Sequence, residues 1–265
     1  MNSKELLKST PFSIKTDNLS ISGITKRIEC EPIIKMIDFS VRAGEIVAIM
    51  GPNGCGKTTF LKILAGLETY DNGSIQFKVN NNRYRPRIGF VFQNAHLSLY
   101  PWQTVEEHFL FGLNGLTLSL NEQLSRVCQM LKLLGLQECK NLYPTQLSGG
   151  LAQLTAIGRA LIAKPDIVLF DEAFSALDYY TSIELQKRFL EVLSLNSTTA
   201  ILVTHTLEEA VLLSDRVIIF SPKPATIIAD IPILLPKPRL SKIIGGSEFQ
   251  NQLSIVFKHL QGFLA

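Results

Sequence analysis

Four short runs with apolar centres lie along the chain, each too short for a helix of ordinary length. They are EIVAIM (45–50), DIVLFD (166–171), TTAILVTH (198–205) and DRVIIFS (215–221). Such runs are typical of strands buried on both faces of a parallel sheet. Apolar residues at helical spacing in 58–67, 179–195 and 206–213 predict helices between these strands. Strands that alternate with helices predict an α/β fold with a mostly parallel sheet.

Less regular segments surround this predicted core. FSIKTDNLSI (12–21) and IKMIDFSV (34–41) predict strands of an antiparallel sheet. GSIQFKVN (73–80) and RIGFVFQ (87–93) predict further strands, joined by a polar loop. Residues 104–143 carry helical periodicity, which predicts a helical insertion.

The last segment predicts an amphipathic helix that begins at Ser247. Its apolar face comprises Phe249, Leu253, Val256, Phe257, Leu260 and Leu264. We expect this face to pack on the core rather than on a partner.

Composition limits the possible functions. Of the 265 residues, 46% are hydrophobic, and the net charge of +3 is too small to indicate a nucleic-acid or anionic-membrane surface. The four cysteines show neither a close pair nor metal-ligand spacing, which indicates a reducing compartment. MNSKELLKSTPF lacks the apolar run of a signal peptide. Since no stretch reaches the ~18 apolar residues of a membrane span, we expect any membrane role to depend on a partner.

The strongest motif is GPNGCGKTT (51–59), between a predicted buried strand and a predicted helix. It fits G-x-x-x-x-G-K-[ST], a loop whose backbone N–H groups surround nucleotide phosphates. The alternative, a glycine-rich turn with a surface lysine, leaves the strand and helix on either side unexplained. Lys57 is predicted to reach the β- and γ-phosphates and the Thr58 hydroxyl to bind Mg²⁺. The candidate nucleotide-binding residues are Gly51, Pro52, Asn53, Gly54, Cys55, Gly56, Lys57, Thr58 and Thr59.

Two carboxylates end the predicted strand IVLFDE (167–172). In a protein with a phosphate-binding loop, the first, Asp171, is placed to hold Mg²⁺, and the second, Glu172, to orient or deprotonate the attacking water. Alone, the pair would be an ordinary strand terminus. The phosphate-binding loop in the same chain favours the functional interpretation.

A second glycine-containing turn, LSGGLAQ (147–153), opens a predicted helix. Its exposed N–H groups at the positive end of the helix dipole suit an anion. The alternative is a helix capped by Ser148 and nothing more.

The order of these motifs carries a family resemblance. GPNGCGKTT, Gln93, LSGG, IVLFDE, SALD (175–178) and His205 resemble the ATP-binding subunit of an ABC transporter. The resemblance covers residues 13–225 and implies the ABC ATPase fold: a core with a phosphate-binding loop, an antiparallel β subdomain and a helical subdomain at about 94–164. Residues 226–265 would form a C-terminal extension.

The resemblance also implies residue roles. Ser148, Gly149 and Gly150 would bind the γ-phosphate of ATP held by the opposite subunit of a head-to-tail dimer. Gln93 would sense Mg²⁺ and the attacking water, and so belongs with Thr58 and Asp171 as a metal candidate. His205 would contact the γ-phosphate, and Asp178 would align the dimer interface. The implied catalytic set is Glu172, His205, Gln93 and Lys57.

Two segments resemble a narrower group, the importers of nitrate, sulfonate, taurine and thiamine precursors. They are LYPWQTVEEHF (99–109) and SPKPATIIADIPILLPKPR (221–239). The group implies permease partners, a solute-binding protein that acts indirectly, and a position on the cytoplasmic face of the membrane. Pro101 and Trp102 would contact a partner or, equally, pack a turn against the helical insertion.

The chain departs from the family pattern at two places. LSGGLAQL lacks the basic residues that usually follow LSGG, although Arg159 remains. No aromatic residue occurs between Phe12 and Phe39, where the family usually stacks a ring on adenine. Both departures leave the phosphate and metal candidates unchanged.

Three rival functions stay open at this point. A soluble ABC-type ATPase acting on nucleic acid or ribosomes would need two cassettes or a long coiled-coil insertion, which the sequence lacks. A non-catalytic subunit of a heterodimer is opposed by Lys57, Glu172 and His205. A kinase or GTPase would have no use for LSGG and SALD. The second ATPase subunit could be identical or different.

Overall fold

The computed structural model describes residues 18–79, 82–83, 85–174, 179–196, 198–237, 239 and 244–262. The strands in this part of the chain are β1 (Asn18–Ile28), β2 (Glu31–Arg42), β3 (Ile46–Met50), β4 (Asn72–Val79), β5 (Asn82–Arg83), β6 (Ile88–Val91), β7 (Ile167–Asp171), β8 (Thr199–Val203), β9 (Arg216–Phe220) and β10 (Ile227–Pro232). The α-helices are α1 (Lys57–Leu64), α2 (Ala95–Ser98), α3 (Val105–Gly112), α4 (Leu120–Leu134), α5 (Gly149–Leu161), α6 (Tyr179–Asn196), α7 (Leu207–Leu213) and α8 (Ser247–Gln261).

The larger sheet has the strand order β10-β9-β3-β8-β7-β6. Its strands run parallel except β10, which pairs antiparallel with β9 at the edge. Every residue of β3, β7 and β8 is buried, as expected for a parallel sheet covered on both faces. The predicted α/β fold with a mostly parallel sheet is therefore confirmed.

The smaller sheet is antiparallel, with the order β2-β1-β4-β5. Helix α1 lies between it and the larger sheet. The Phe60 ring on α1 has its centroid 5.7 Å from that of Phe39 on β2 and 5.5 Å from that of Phe220 on β9. These aromatic contacts fix α1, and the loop before it, between the two sheets.

On the other side of the larger sheet, the helices between β6 and β7 form the predicted helical insertion. Helices α3 and α4 cover much of 104–143, followed by a 3₁₀ turn at Gln137–Cys139. The half-buried Arg159 side chain of α5 donates a 2.8 Å hydrogen bond to the Ser98 carbonyl. This bond ties α5 to the end of α2, the first helix after Gln93.

The C-terminal helix packs on α7 and β9. Phe249 and Val256 are fully buried, which confirms that this face packs on the core. Phe257 was assigned to the same face, but 40% of it is exposed, so that assignment is wrong: the stripe in contact with the core is narrower than the apolar stripe. Leu264 lies outside the described residues.

Three local predictions differ from the structure. β1 continues to Ile28 rather than ending at residue 21, because a register shift between Ile21 and Ile24 bends the strand without ending its pairing. Within the predicted polar loop, Asn82 and Arg83 pair with β4. Residues 227–232, for which the sequence predicts only a C-terminal extension, form β10, whose half-buried edge position admits polar residues and a proline.

Candidate functional site

The loop between β3 and α1 wraps tightly around the start of the helix. Gly54 and Gly56 have φ angles of +74° and +116°, in the region that favours glycine. A Cβ atom on Gly56 would lie 3.0 Å from Cγ2 of Ile33. Gly56 is also the N-cap of α1 and offers no side-chain cap, so the N–H groups of the first turn remain available to an anion.

Lys57 lies across this loop. Its side chain is buried, and Nζ donates hydrogen bonds to the carbonyl oxygens of Gly51 at 2.8 Å and Pro52 at 2.9 Å. The ammonium group is therefore held against the loop by two neutral acceptors. Phosphate oxygens are stronger acceptors for a cation than carbonyl oxygens, so the arrangement suits an exchange of partners when a nucleotide arrives.

Thr58 and Asp171 meet beside Lys57. The Thr58 hydroxyl donates a 2.9 Å hydrogen bond to Oδ1 of Asp171, the last residue of β7. Asp171 is only 3% exposed; burial raises the pKa of this carboxyl group, while the Thr58 hydrogen bond opposes the rise. A hydroxyl and a carboxylate oxygen form the hard donor set that Mg²⁺ prefers.

The described residues contain no group of three or more His, Cys, Asp or Glu side chains that could hold a metal ion. In the usual magnesium site of nucleotide enzymes, one or two protein ligands act together with substrate phosphates. Thr58 and Asp171 fit such a site.

Glu172 connects the ends of three neighbouring strands. Gln93, which follows β6, donates from Nε2 to Oε2 of Glu172 at 2.8 Å. His205, which follows β8, has Nδ1 3.6 Å from the same oxygen. The backbone of Glu172 is left-handed (φ +50°), and its N–H donates to the Val203 carbonyl at 3.0 Å. The residue is thus turned out of its strand and held there.

The LSGG turn (147–150) lies at the start of a separate helix. Ser148 is the N-cap of α5, and its Oγ accepts a 3.4 Å hydrogen bond from the Leu151 N–H. Gly149 and Gly150 form the first turn, and a Cβ on Gly149 would meet nothing within 4 Å. Lys57, Asp171 and Glu172 form hydrogen bonds with Gly51, Pro52, Thr58, Gln93 and Val203, in other parts of the chain than this turn. Asp178, with the rest of SALD, lies outside the described residues.

The unusual residues after LSGG are explained by burial. Ala152 is fully buried and Leu154 is 9% exposed, and both belong to the core on the helical side of the sheet. The positions that are usually basic therefore serve packing here.

The segment with Pro101 and Trp102 has an aromatic stack. The Trp102 and Tyr100 rings are stacked with centroids 5.3 Å apart, and Tyr100 contacts the Phe111 ring edge-on at 5.2 Å. Trp102 nevertheless remains 70% exposed. It packs on the helical insertion through one face only.

Sequence analysis missed one pair near His205. The Thr204 hydroxyl donates a 2.5 Å hydrogen bond to Oε2 of Glu209 in the first turn of α7. VTHTLEEA has capping-box spacing from Thr206 to Glu209, but Thr206 makes no side-chain cap hydrogen bond, so this local pattern points to the wrong threonine.

Comparisons with known proteins agree with this geometry. The family model described as "ABC transporter" matches residues 34–175. The chain belongs to the ABC transporter family. As an ABC ATPase it binds and hydrolyses ATP.

Curated relatives cover most of this ABC ATPase. The aliphatic sulfonates import ATP-binding protein SsuB 2 of Pseudomonas syringae pv. tomato is 38% identical over 86% of this chain and 90% of its own length. The taurine import ATP-binding protein TauB of Escherichia coli O157:H7 is 35% identical over 81% and 84%.

A solved structure shares the fold of this ABC ATPase. The dimeric post-hydrolysis state of the ATP-binding cassette MJ0796, bound to ADP and Pi, matches with a TM-score of 0.70 and 28% identity over 81% of this chain and 98% of that one. The predicted ABC ATPase fold is therefore confirmed.

Within the described part of the chain, no helix combines the length and apolar character that a bilayer crossing requires.

Proposed function

We propose that this ABC ATPase drives the import of a small solute, either anionic or of the sulfonate, taurine, nitrate or thiamine-precursor type, through membrane-spanning permease subunits. The observation that carries the catalytic part is the convergence of Gln93 and His205 on one oxygen of Glu172, beside the Thr58–Asp171 pair. The import part is supported by the relatives' names and by LYPWQTVEEHF and the 221–239 segment.

The phosphate-binding loop would hold the substrate ATP. Residues 51–59 offer backbone N–H groups to the phosphates, and the Lys57 ammonium would leave the carbonyls of Gly51 and Pro52 for the β- and γ-phosphates. Thr58, Asp171 and the Gln93 side-chain oxygen would hold Mg²⁺. When bound, Mg²⁺ would neutralise charge on the β- and γ-phosphate oxygens.

Glu172 would act on the attacking water. Its carboxylate is held by Gln93 and faces His205, so one oxygen can orient the water and accept its proton. His205 would stabilise the γ-phosphate as it is transferred. Gln93 connects this carboxylate to the helical insertion, where a permease could influence it.

The dimer would complete each site. Ser148, Gly149 and Gly150 form an uncovered helix start that would bind the γ-phosphate of the partner subunit's ATP. Asp178 would align the two subunits. ATP would close the dimer and hydrolysis would reopen it, because the ligand contacts both subunits only in the closed state.

The complex would stand on the cytoplasmic face of the membrane. Residues 13–225 would form the ATP-binding domain, with a helical subdomain at about 94–164, and 226–265 the extension. A solute-binding protein would act indirectly through the permease, and nucleic acid has no part. Two identical or two different ATPase subunits would serve this scheme equally.

A deletion strain tests the import function. The gene is removed from its host and restored as wild type or as Glu172→Gln, and growth is compared with taurine, an alkanesulfonate, nitrate or a thiamine precursor as the sole source of the respective nutrient. We expect one solute to support growth only with the wild-type gene. Normal growth and normal uptake of every one of these solutes by the deletion strain would contradict the proposal.

A further inference from the structure

The connection from β8 to α7 carries His205 and is held in place by a buried pair of side chains, Thr204 and Glu209. Thr204 precedes His205, is 2% exposed, and anchors its N–H on the Ile49 carbonyl of β3 at 3.3 Å. Glu209 is 7% exposed although it carries a carboxylate. His205 itself is exposed, with 54% of its side chain open. The position of this exposed side chain therefore depends on the backbone that carries it as well as on Glu172, 3.6 Å away.

The Thr204 hydroxyl fixes the backbone on both sides of His205. It donates to Oε2 of Glu209 at 2.5 Å and accepts from the N–H of Thr206 at 3.0 Å. Thr206 is the N-cap of α7, but its own side chain makes no cap hydrogen bond. The usual cap is therefore replaced by a link that starts in the residue before His205 and ends in the helix after it.

Burial of the Glu209 carboxylate has an electrostatic cost. Burial raises the pKa of its carboxyl group, and the Thr204 hydrogen bond and the nearby His205 oppose the rise. Leaving a buried polar group without its hydrogen-bond partner costs more free energy than forming that hydrogen bond contributes to stability. A simple helix cap could be made by an exposed side chain, so burial points to a role in fixing geometry.

We propose that Glu209 is a positioning residue for ATP hydrolysis: through Thr204 it holds His205 toward Glu172 and the transferred phosphate. This inference rests on the proposed role of His205. It predicts that loss of the link slows the chemical step without weakening ATP binding, because His205 is misplaced while the phosphate-binding loop is unchanged.

Steady-state kinetics of the full chain test the link. Thr204→Val removes the hydroxyl at nearly constant shape, and Thr204→Ser keeps it. We expect Thr204→Val and Glu209→Ala to lower kcat roughly tenfold to 10²-fold, with KM for ATP changed by less than about twofold. Thr204→Ser, which keeps the hydroxyl, should retain most of the wild-type kcat. The matched control is Glu208→Ala, which removes an exposed carboxylate from the same helix turn and should leave kcat unchanged.

A double-mutant cycle separates positioning from support of the fold. If Glu209 acts through His205, Glu209→Ala should change kcat by less than about twofold in a His205→Ala background. If Glu209→Ala lowers kcat by the same factor in the wild-type and His205→Ala backgrounds, the inference is wrong while the role of His205 stands. Equal losses of kcat in Thr204→Val and Thr204→Ser would overturn it in the same way. Wild-type kcat in His205→Ala alone would instead overturn the proposed role of His205, and this inference with it.

Discussion

Thr58 donates a 2.9 Å hydrogen bond to Asp171 across a sequence separation of 113 residues. The first residue lies at the start of α1 and the second at the end of β7, so the bond joins the phosphate-binding loop to the strand that presents Glu172. This bond would place ATP binding by the loop beside the proposed activation of water by Glu172.

Lys57→Ala and Glu172→Gln should fail in different ways. In the proposed site Lys57 would contact phosphates that are present in the ground state, so its removal should weaken ATP binding. Glu172 would act on the attacking water, so Glu172→Gln should bind ATP normally but lose roughly 10²–10⁴-fold in kcat. Binding is measured with a fluorescent ATP analogue and turnover by phosphate release. Lys132→Ala and Glu138→Gln, both at exposed positions, are the controls. Normal turnover by Glu172→Gln would remove it from the catalytic role.

Ser148→Arg should separate binding from dimerisation. The subunit's own phosphate-binding loop is untouched, so the monomer should bind ATP with nearly normal affinity. ATP-driven dimerisation and turnover should be lost, because a bulky cation would fill the space for the partner's γ-phosphate. Light scattering in the Glu172→Gln background, which preserves bound ATP, measures the dimer. If the isolated monomer loses ATP binding, the turn serves its own subunit and the head-to-tail dimer is wrong.

GTP should compete appreciably with ATP. No aromatic residue lies in 13–38, and the ring of Phe39 is committed to the core against Phe60. Selectivity would then rest on phosphates, which every nucleoside triphosphate shares. Base stacking on an aromatic ring is worth about 1–3 kcal/mol in nucleic-acid sites. A preference for ATP of tenfold or more, about 1.4 kcal/mol, in a competition assay would show that another group supplies the contact.

His108 should make stability depend on pH. Burial, and then the nearby Arg159, lowers the pKa of this histidine from 6.5 to about 4. Between these values the unfolded chain binds one more proton than the folded chain. Titration of His108 should therefore leave the free energy of unfolding unchanged above pH 6.5. Below pH 6.5 it should lower this free energy, by at most about 1.4 kcal/mol per pH unit.

Urea unfolding at a series of pH values isolates this contribution. His108→Gln removes the titrating group, so its unfolding free energy should fall less steeply than that of the wild type between pH 6.5 and 4. His259→Gln, an exposed histidine on α8, should follow the wild-type curve. Parallel curves for wild type and His108→Gln would show that His108 titrates normally in the folded protein.

The sequence by itself determined the fold class and most of the candidate site. The buried strands were evident because a strand covered on both faces must be apolar throughout. GPNGCGKTT and IVLFDE were evident because each depends on residue types at fixed local spacing. The order of the motifs then identified the family before any distance was known.

Only the tertiary structure decided which side chains meet. Gln93, Glu172 and His205 follow the ends of three separate strands, and their convergence follows from the strand order β8-β7-β6, which no local pattern encodes. The Thr204–Glu209 link was missed because its importance depends on burial, and burial depends on what packs from elsewhere in the chain. For the same reason β10 escaped prediction: an edge strand takes its partner from the sheet rather than from its own periodicity.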